Sequence, residues 1–213
     1  VIATLAVVTL AGLATGGLVG RLVNRSRRAP PAIVPAARSG QGATPALEGA
    51  PCKLGDVVLL AHGEEAWLAG ALVFRERAAQ LDVAGDVDRT VSALFVAPER
   101  GTERAVYARL GPPASLDWMW PVPTEALAAG DEPPSAVLLD GERFERVRRL
   151  PLAILYLGTG APDVGRDAVI GEYEGGGGAR LLVVLGTGGR RVWRGRRLDE
   201  GMYDVLPGGA STL

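Results

Sequence analysis

Residues 137–144 read Val137-Leu138-Leu139-Asp140-Gly141-Glu142-Arg143-Phe144: an apolar run, an Asp-Gly pair, then a return that alternates charge with an aromatic ring. Asp-Gly between two such runs signals a two-residue hairpin, because both central residues of that turn need positive φ. The same plan occurs twice more. Val57-Val58-Leu59-Leu60-Ala61-His62-Gly63-Glu64-Glu65-Ala66-Trp67 is an apolar run, a turn and a return carrying an aromatic. Leu182-Val183-Val184-Leu185-Gly186-Thr187-Gly188-Gly189-Arg190-Arg191-Val192-Trp193 repeats it with a longer turn. This predicts β-hairpins, and the three copies suggest duplicated hairpin units.

Working outward, further short apolar runs lie at 90–96, 105–110, 153–157 and 169–173, each bounded by Gly, Pro or Asp. The run 67–74 follows the first hairpin, and 143–149 alternates Phe144 and Val147 with charges. Only 123–129 reads as a helical turn or two. Short strands with dense Gly and Pro punctuation predict a mostly β fold. The expected architecture is a short-stranded antiparallel barrel or sandwich-like domain over 52–207, with 208–213 as a flexible tail.

The N-terminal part is of another kind. The 213-residue chain has 23 Lys+Arg and 24 Asp+Glu, a net charge of -1. Residues 1–50 carry five arginines against Glu48, a net of +4, which leaves -5 on 51–213. No charge occurs in residues 1–20, and about twenty apolar residues in a helix span the hydrocarbon core. Residues 1–23 are therefore expected to be a transmembrane helix. Arg21, Arg25, Arg27 and Arg28 follow it as a membrane-proximal basic collar. Charge behind the apolar run, with none in front, puts the N-terminus outside and the remainder in the cytoplasm of a bacterial inner membrane. A signal peptide, with charge in front, would instead deliver an exported envelope domain. Gly12, Gly16 and Gly20 share one helix face and would let two such helices pair as a homodimer. Residues 24–51 read as a linker, basic and then rich in Pro, Ala and Gly.

The search for chemistry gives exclusions. One Cys and one His rule out a disulfide framework and almost every structural zinc site. The near-neutral chain lacks the basic excess of a nucleic-acid binder, so its expected partners are the bilayer and a protein. His62, beside Glu64 and Glu65, and Cys52 are the only residues offered for a hydrolase. Ser92, Ser115 and Ser135 lack a nucleophile-elbow context. The glycine-rich stretches 158–160, 175–178 and 186–189 read as turns, since the single lysine, Lys53, is far from all of them. Arg146, Arg148 and Arg149, and then Arg190, Arg191, Arg194, Arg196 and Arg197, read as a solvated face paired with neighbouring acids. Trp118-Met119-Trp120 is either an exposed interaction ridge or a plug closing the core.

Leu54-Gly55-Asp56-Val57-Val58 with Gly63 and Trp67, the hairpin 137–144, and Gly171-Glu172-Tyr173-Glu174-Gly175 followed by Val192-Trp193-Arg194-Gly195 and Val205-Leu206-Pro207 resemble the bacterial domain of unknown function DUF4178. The resemblance covers most of 52–207, and the segment 75–108 departs from it. It implies a β-rich accessory domain and carries over no catalytic residue. The expected function is a membrane-anchored, non-enzymatic interaction or scaffold module without a cofactor.

Overall fold

The computed structural model describes residues 46–76, 89–98, 103–126, 130 and 132–208. The chain divides between Ala37 and Arg38, and every described residue belongs to Arg38–Leu213. The expected membrane helix, Gly12, Gly16, Gly20 and the collar Arg21, Arg25, Arg27 and Arg28 lie outside the described residues, as does most of the tail. Among the described residues, no helix is long and apolar enough to cross a membrane.

All three expected hairpins form. β1 (Val57–Leu60) pairs with β2 (Glu65–Trp67), and β7 (Ala136–Leu139) pairs with the start of β8 (Glu142–Gly158). β10 (Ala179–Gly186) pairs with β11 (Gly189–Leu198). At the Asp-Gly turn, Asp140 and Gly141 have φ of 51° and 80°, the left-handed pair that such a turn demands. The remaining strands are β3 (Gly70–Glu76), β4 (Arg89–Ala97), β5 (Arg104–Arg109), β6 (Ser115–Val122), β9 (Asp167–Glu174) and β12 (Tyr203–Leu206).

Eight of these strands form a closed antiparallel barrel in the order β3-β4-β5-β6-β11-β10-β9-β8, with β8 pairing back onto β3. The order is symmetric. Two four-stranded meanders, β3 to β6 and β8 to β11, join through their last strands and again through their first. At the β3–β8 seam Gly70 faces Gly158. A Cβ on Gly158 would sit 2.2 Å from Ala69 O, and one on Gly70 would sit 2.1 Å from Thr159 O. Only glycine allows the two meanders to approach so closely there.

Side chains alternate across each strand, so Leu72 and Phe74 point into the barrel and Ala71 and Val73 point out. The interior is filled by residues such as Leu94, Val96, Met119, Ile170, Leu182, Val184 and Trp193. The outer face of the first meander is covered by a separate three-stranded sheet, β12-β1-β2. The outer face of the second is covered by the β7–β8 hairpin, through Val137, Leu139 and Phe144 on Tyr173, Leu181, Val183 and Val192. Most barrel strands are thus buried on both faces, which explains unbroken apolar runs such as Leu181 to Val184.

Several features differ from expectation. The packed domain begins by residue 46, ahead of 52, because Leu47 is buried beneath the small sheet. The run 67–74 is divided at Leu68 and Ala69 into β2 and β3. The runs 143–149 and 153–157 are one 17-residue strand that passes through Pro151, with a register shift between Arg146 and Arg148. β6 and β12 are additional strands, and the expected helical turn is a short 3-10 turn at Thr124–Ala126.

Candidate interaction surface

The two candidates for catalysis stand in unlike settings. His62 lies in the exposed β1–β2 turn, with Nε2 2.8 Å from Glu64 Oε2. Cys52 is 2% exposed, and burial, aided by Asp56, pushes its thiol up to about 12. A thiol so placed stays protonated at neutral pH and is a poor nucleophile. Among the described residues, no group of three His, Cys, Asp or Glu side chains is arranged to hold a metal ion.

The Trp118–Met119–Trp120 segment is core. On β6, Trp118 and Met119 are 0% and 1% exposed, and alternation sends Met119 into the barrel and Trp118 under the small sheet. Trp120 is half-buried against the same outer core. The segment is the plug and not a ridge.

One mouth of the barrel is closed by a buried ionic network that the sequence does not announce. The Tyr107 hydroxyl donates to Glu172 Oε1 at 2.7 Å and lies 2.9 Å from Ser92 Oγ. Arg109 Nε is 3.1 Å from Glu172 Oε2, and its Nη2 is 3.5 Å from Asp117 Oδ2. Arg180 lies between Asp117 and Glu174 and pairs with the latter. Burial raises the Asp117 carboxyl above its ordinary 3.8, against the pull of Arg109, Arg180 and Arg197. Burial, then Glu172, lifts the Tyr107 phenol well above 10.0. Each charge faces an opposite charge, while Arg109 Nε, Asp117 Oδ1 and Arg180 Nε are buried without a hydrogen-bond partner among the described residues. The expected pairing of the surface arginines is seen at Arg194, which binds Asp140 and Glu142 at 3.0 and 2.7 Å and lies 5.8 Å from the Phe144 ring centre. Arg149 pairs with Glu132, and Arg148 approaches Glu172. The glycines at 175–178 and 186–189 are the turns between β9 and β10 and between β10 and β11.

The surface that stands out is the outer face of the small sheet. Its inner face, Val58, Leu60 and Ala66, is buried against the barrel. The opposite face is a grid of two rows fixed by the strand register. Trp67, Val57 and Leu206 form one row, side by side on β2, β1 and β12. Glu65, Leu59 and Asp204 form the next. Rows two residues apart on a strand are separated by about 7 Å. Trp67 is 67% exposed and Leu206 49%, large values for apolar side chains on a sheet whose other face is buried. Neither the Glu65 nor the Asp204 carboxylate has an ion pair or side-chain hydrogen bond among the described residues. On the second hairpin, Leu138 is 70% exposed but stands opposite Arg143, which pairs with Glu145. In the sequence Trp67 stands as the aromatic of a returning strand and the start of the apolar run 67–74. Its place beside Leu206 depends on β12, which arrives from the far end of the chain.

No protein-family model matches the chain, and no curated protein or solved structure matches it either.

Proposed function

We propose that this chain is a membrane-tethered interaction module, non-enzymatic, in which residues 1–23 anchor a rigid β-barrel that presents a docking face on the cytoplasmic side. The observation that carries the reading is the exposed row Trp67–Val57–Leu206. Tryptophan is enriched at the centres of binding interfaces, and an apolar row rimmed by polar residues is the usual form of a contact surface. The filled barrel and its closed ionic mouth serve this role as a stiff support. The resemblance to DUF4178 belongs to the same proposal, as does the origin of the barrel by duplication. In the duplication, the hairpins at 57–67, 137–144 and 182–193 are copies of one small β unit. Homodimerisation through Gly12, Gly16 and Gly20 is a further part of it.

The test is a photo-crosslinking amino acid placed at position 67 in the full chain in native membranes, with position 143 as control. A discrete adduct at 67 and none at 143 is expected. Absence of any adduct at 67 would overturn the reading. A C-terminal reporter active only outside the cytoplasm would overturn the orientation.

A further inference from the structure

The small-sheet face has a chemical asymmetry that specifies its partner. Resting on the interaction reading above, we infer that this face binds a cationic amphipathic segment of another protein, one that lays an apolar side chain over Val57 and basic side chains against Glu65 and Asp204.

The register carries the argument. Trp67 and Leu206 stand on either side of Val57, so the three make a continuous apolar strip across three strands. Glu65 and Asp204 stand on either side of Leu59 in the adjacent row. With strands spaced by about 4.8 Å, the two carboxylates are about 10 Å apart and about 7 Å from the strip. In the same hairpin Glu64 pairs with His62 and Arg104, whereas the Glu65 and Asp204 carboxylates face outward. Two unpaired carboxylates beside the most exposed tryptophan leave room for cations that the described chain does not itself provide.

Charge decides between occupants. An anionic bilayer would meet Glu65 and Asp204 as like charges at the depth where Trp67 would insert. A second copy presenting the same face offers its own Glu65 and Asp204 and no cation within these two rows. A segment bearing lysine or arginine beside leucine-like residues gains from both rows at once, and the net charge of -5 on 51–213 favours its approach.

The experiment uses the full chain in neutral detergent micelles and a synthetic amphipathic peptide of leucine and lysine, with a leucine–glutamate peptide of the same pattern as control. Binding is followed by calorimetry and by acrylamide quenching of tryptophan. Trp118 and Trp193 are fully buried and Trp120 is half-buried, so Trp67 is the most exposed of the four and Trp67→Ala identifies its share of the quenchable emission. The lysine peptide is expected to bind and shield Trp67, and the glutamate peptide is expected not to bind. Glu65→Gln with Asp204→Asn should weaken the lysine peptide about fivefold or more and flatten its salt dependence, as two exposed ion pairs would. Trp67→Ala should weaken it further, while Leu138→Ser should leave it unchanged. Equal binding of both peptides, or no effect of the double carboxylate variant, would overturn the inference. So would shielding of Trp67 by phosphatidylglycerol vesicles in the absence of peptide. If the lysine peptide fails while position 67 still crosslinks in membranes, the partner chemistry falls and the interaction reading stands.

Discussion

At the scale of single residues, burial sets the chemistry. Cys52 and Tyr173 are enclosed, and burial pushes both groups up to about 12, from ordinary values of 9.0 and 10.0. Tyr173 also donates its hydroxyl proton to Pro134 O at 2.8 Å. The consequence for stability has a definite sign. Below pH 9 both groups are protonated whether the chain is folded or unfolded. Above it the unfolded chain releases protons that the folded chain retains, so rising pH favours unfolding up to about 12. Urea midpoints measured between pH 8 and 11 should fall steadily, and Cys52→Ala should lessen the fall in its first part. At pH 8, iodoacetamide should label Cys52 slowly in the native chain and quickly in urea. Fast native labelling would contradict the burial described for this thiol.

At the scale of elements, a glycine sets how closely β6 and β11 approach. Gly195 faces Met119 across that pair, and a Cβ there would stand 1.9 Å from Trp118 O and 2.4 Å from Met119 Sδ. Gly195→Ala should therefore cost about 1–3 kcal/mol through overpacking. Gly176→Ala, which meets open space in the β9–β10 turn, should be nearly silent. Thermal denaturation of the two variants would show it, and equal effects would place the close contact elsewhere. These elements also show what a sequence can disclose. The β7–β8 and β10–β11 hairpins were legible because turn glycines and apolar runs are local signals. The length of β8 was not, since Pro151 lacks a backbone donor and reads as a break, yet it holds register opposite Val169. β6 was not, because Trp118, Met119 and Trp120 face two different cores and show no alternation of polarity. The ionic mouth was invisible for another reason: Tyr107 and Glu172 lie 65 positions apart and meet only when the barrel closes. Likewise Trp67 becomes part of an apolar strip only once β12 lies beside β1.

At the scale of the whole molecule, two joins hold the meanders together. β6 meets β11, and β3 meets β8 at the Gly70–Gly158 pair. Each join links strands far apart in sequence, and β12, the last strand, pairs with β1, the first. An open antiparallel edge is a site for mispairing until it is covered. During synthesis the first meander therefore leaves the ribosome with β3 and β6 both exposed, and it waits for β8 and β11. Even then the β1 edge stays bare until residues 203–206 emerge. Ribosome-bound chains arrested with residue 178 just outside the exit tunnel should be cut readily by protease, and chains arrested beyond residue 208 should resist. Resistance of the shorter chain would mean that the first meander folds by itself. The order in which the strands are joined thus leaves two strand borders open to mispairing until their distant partners have been translated.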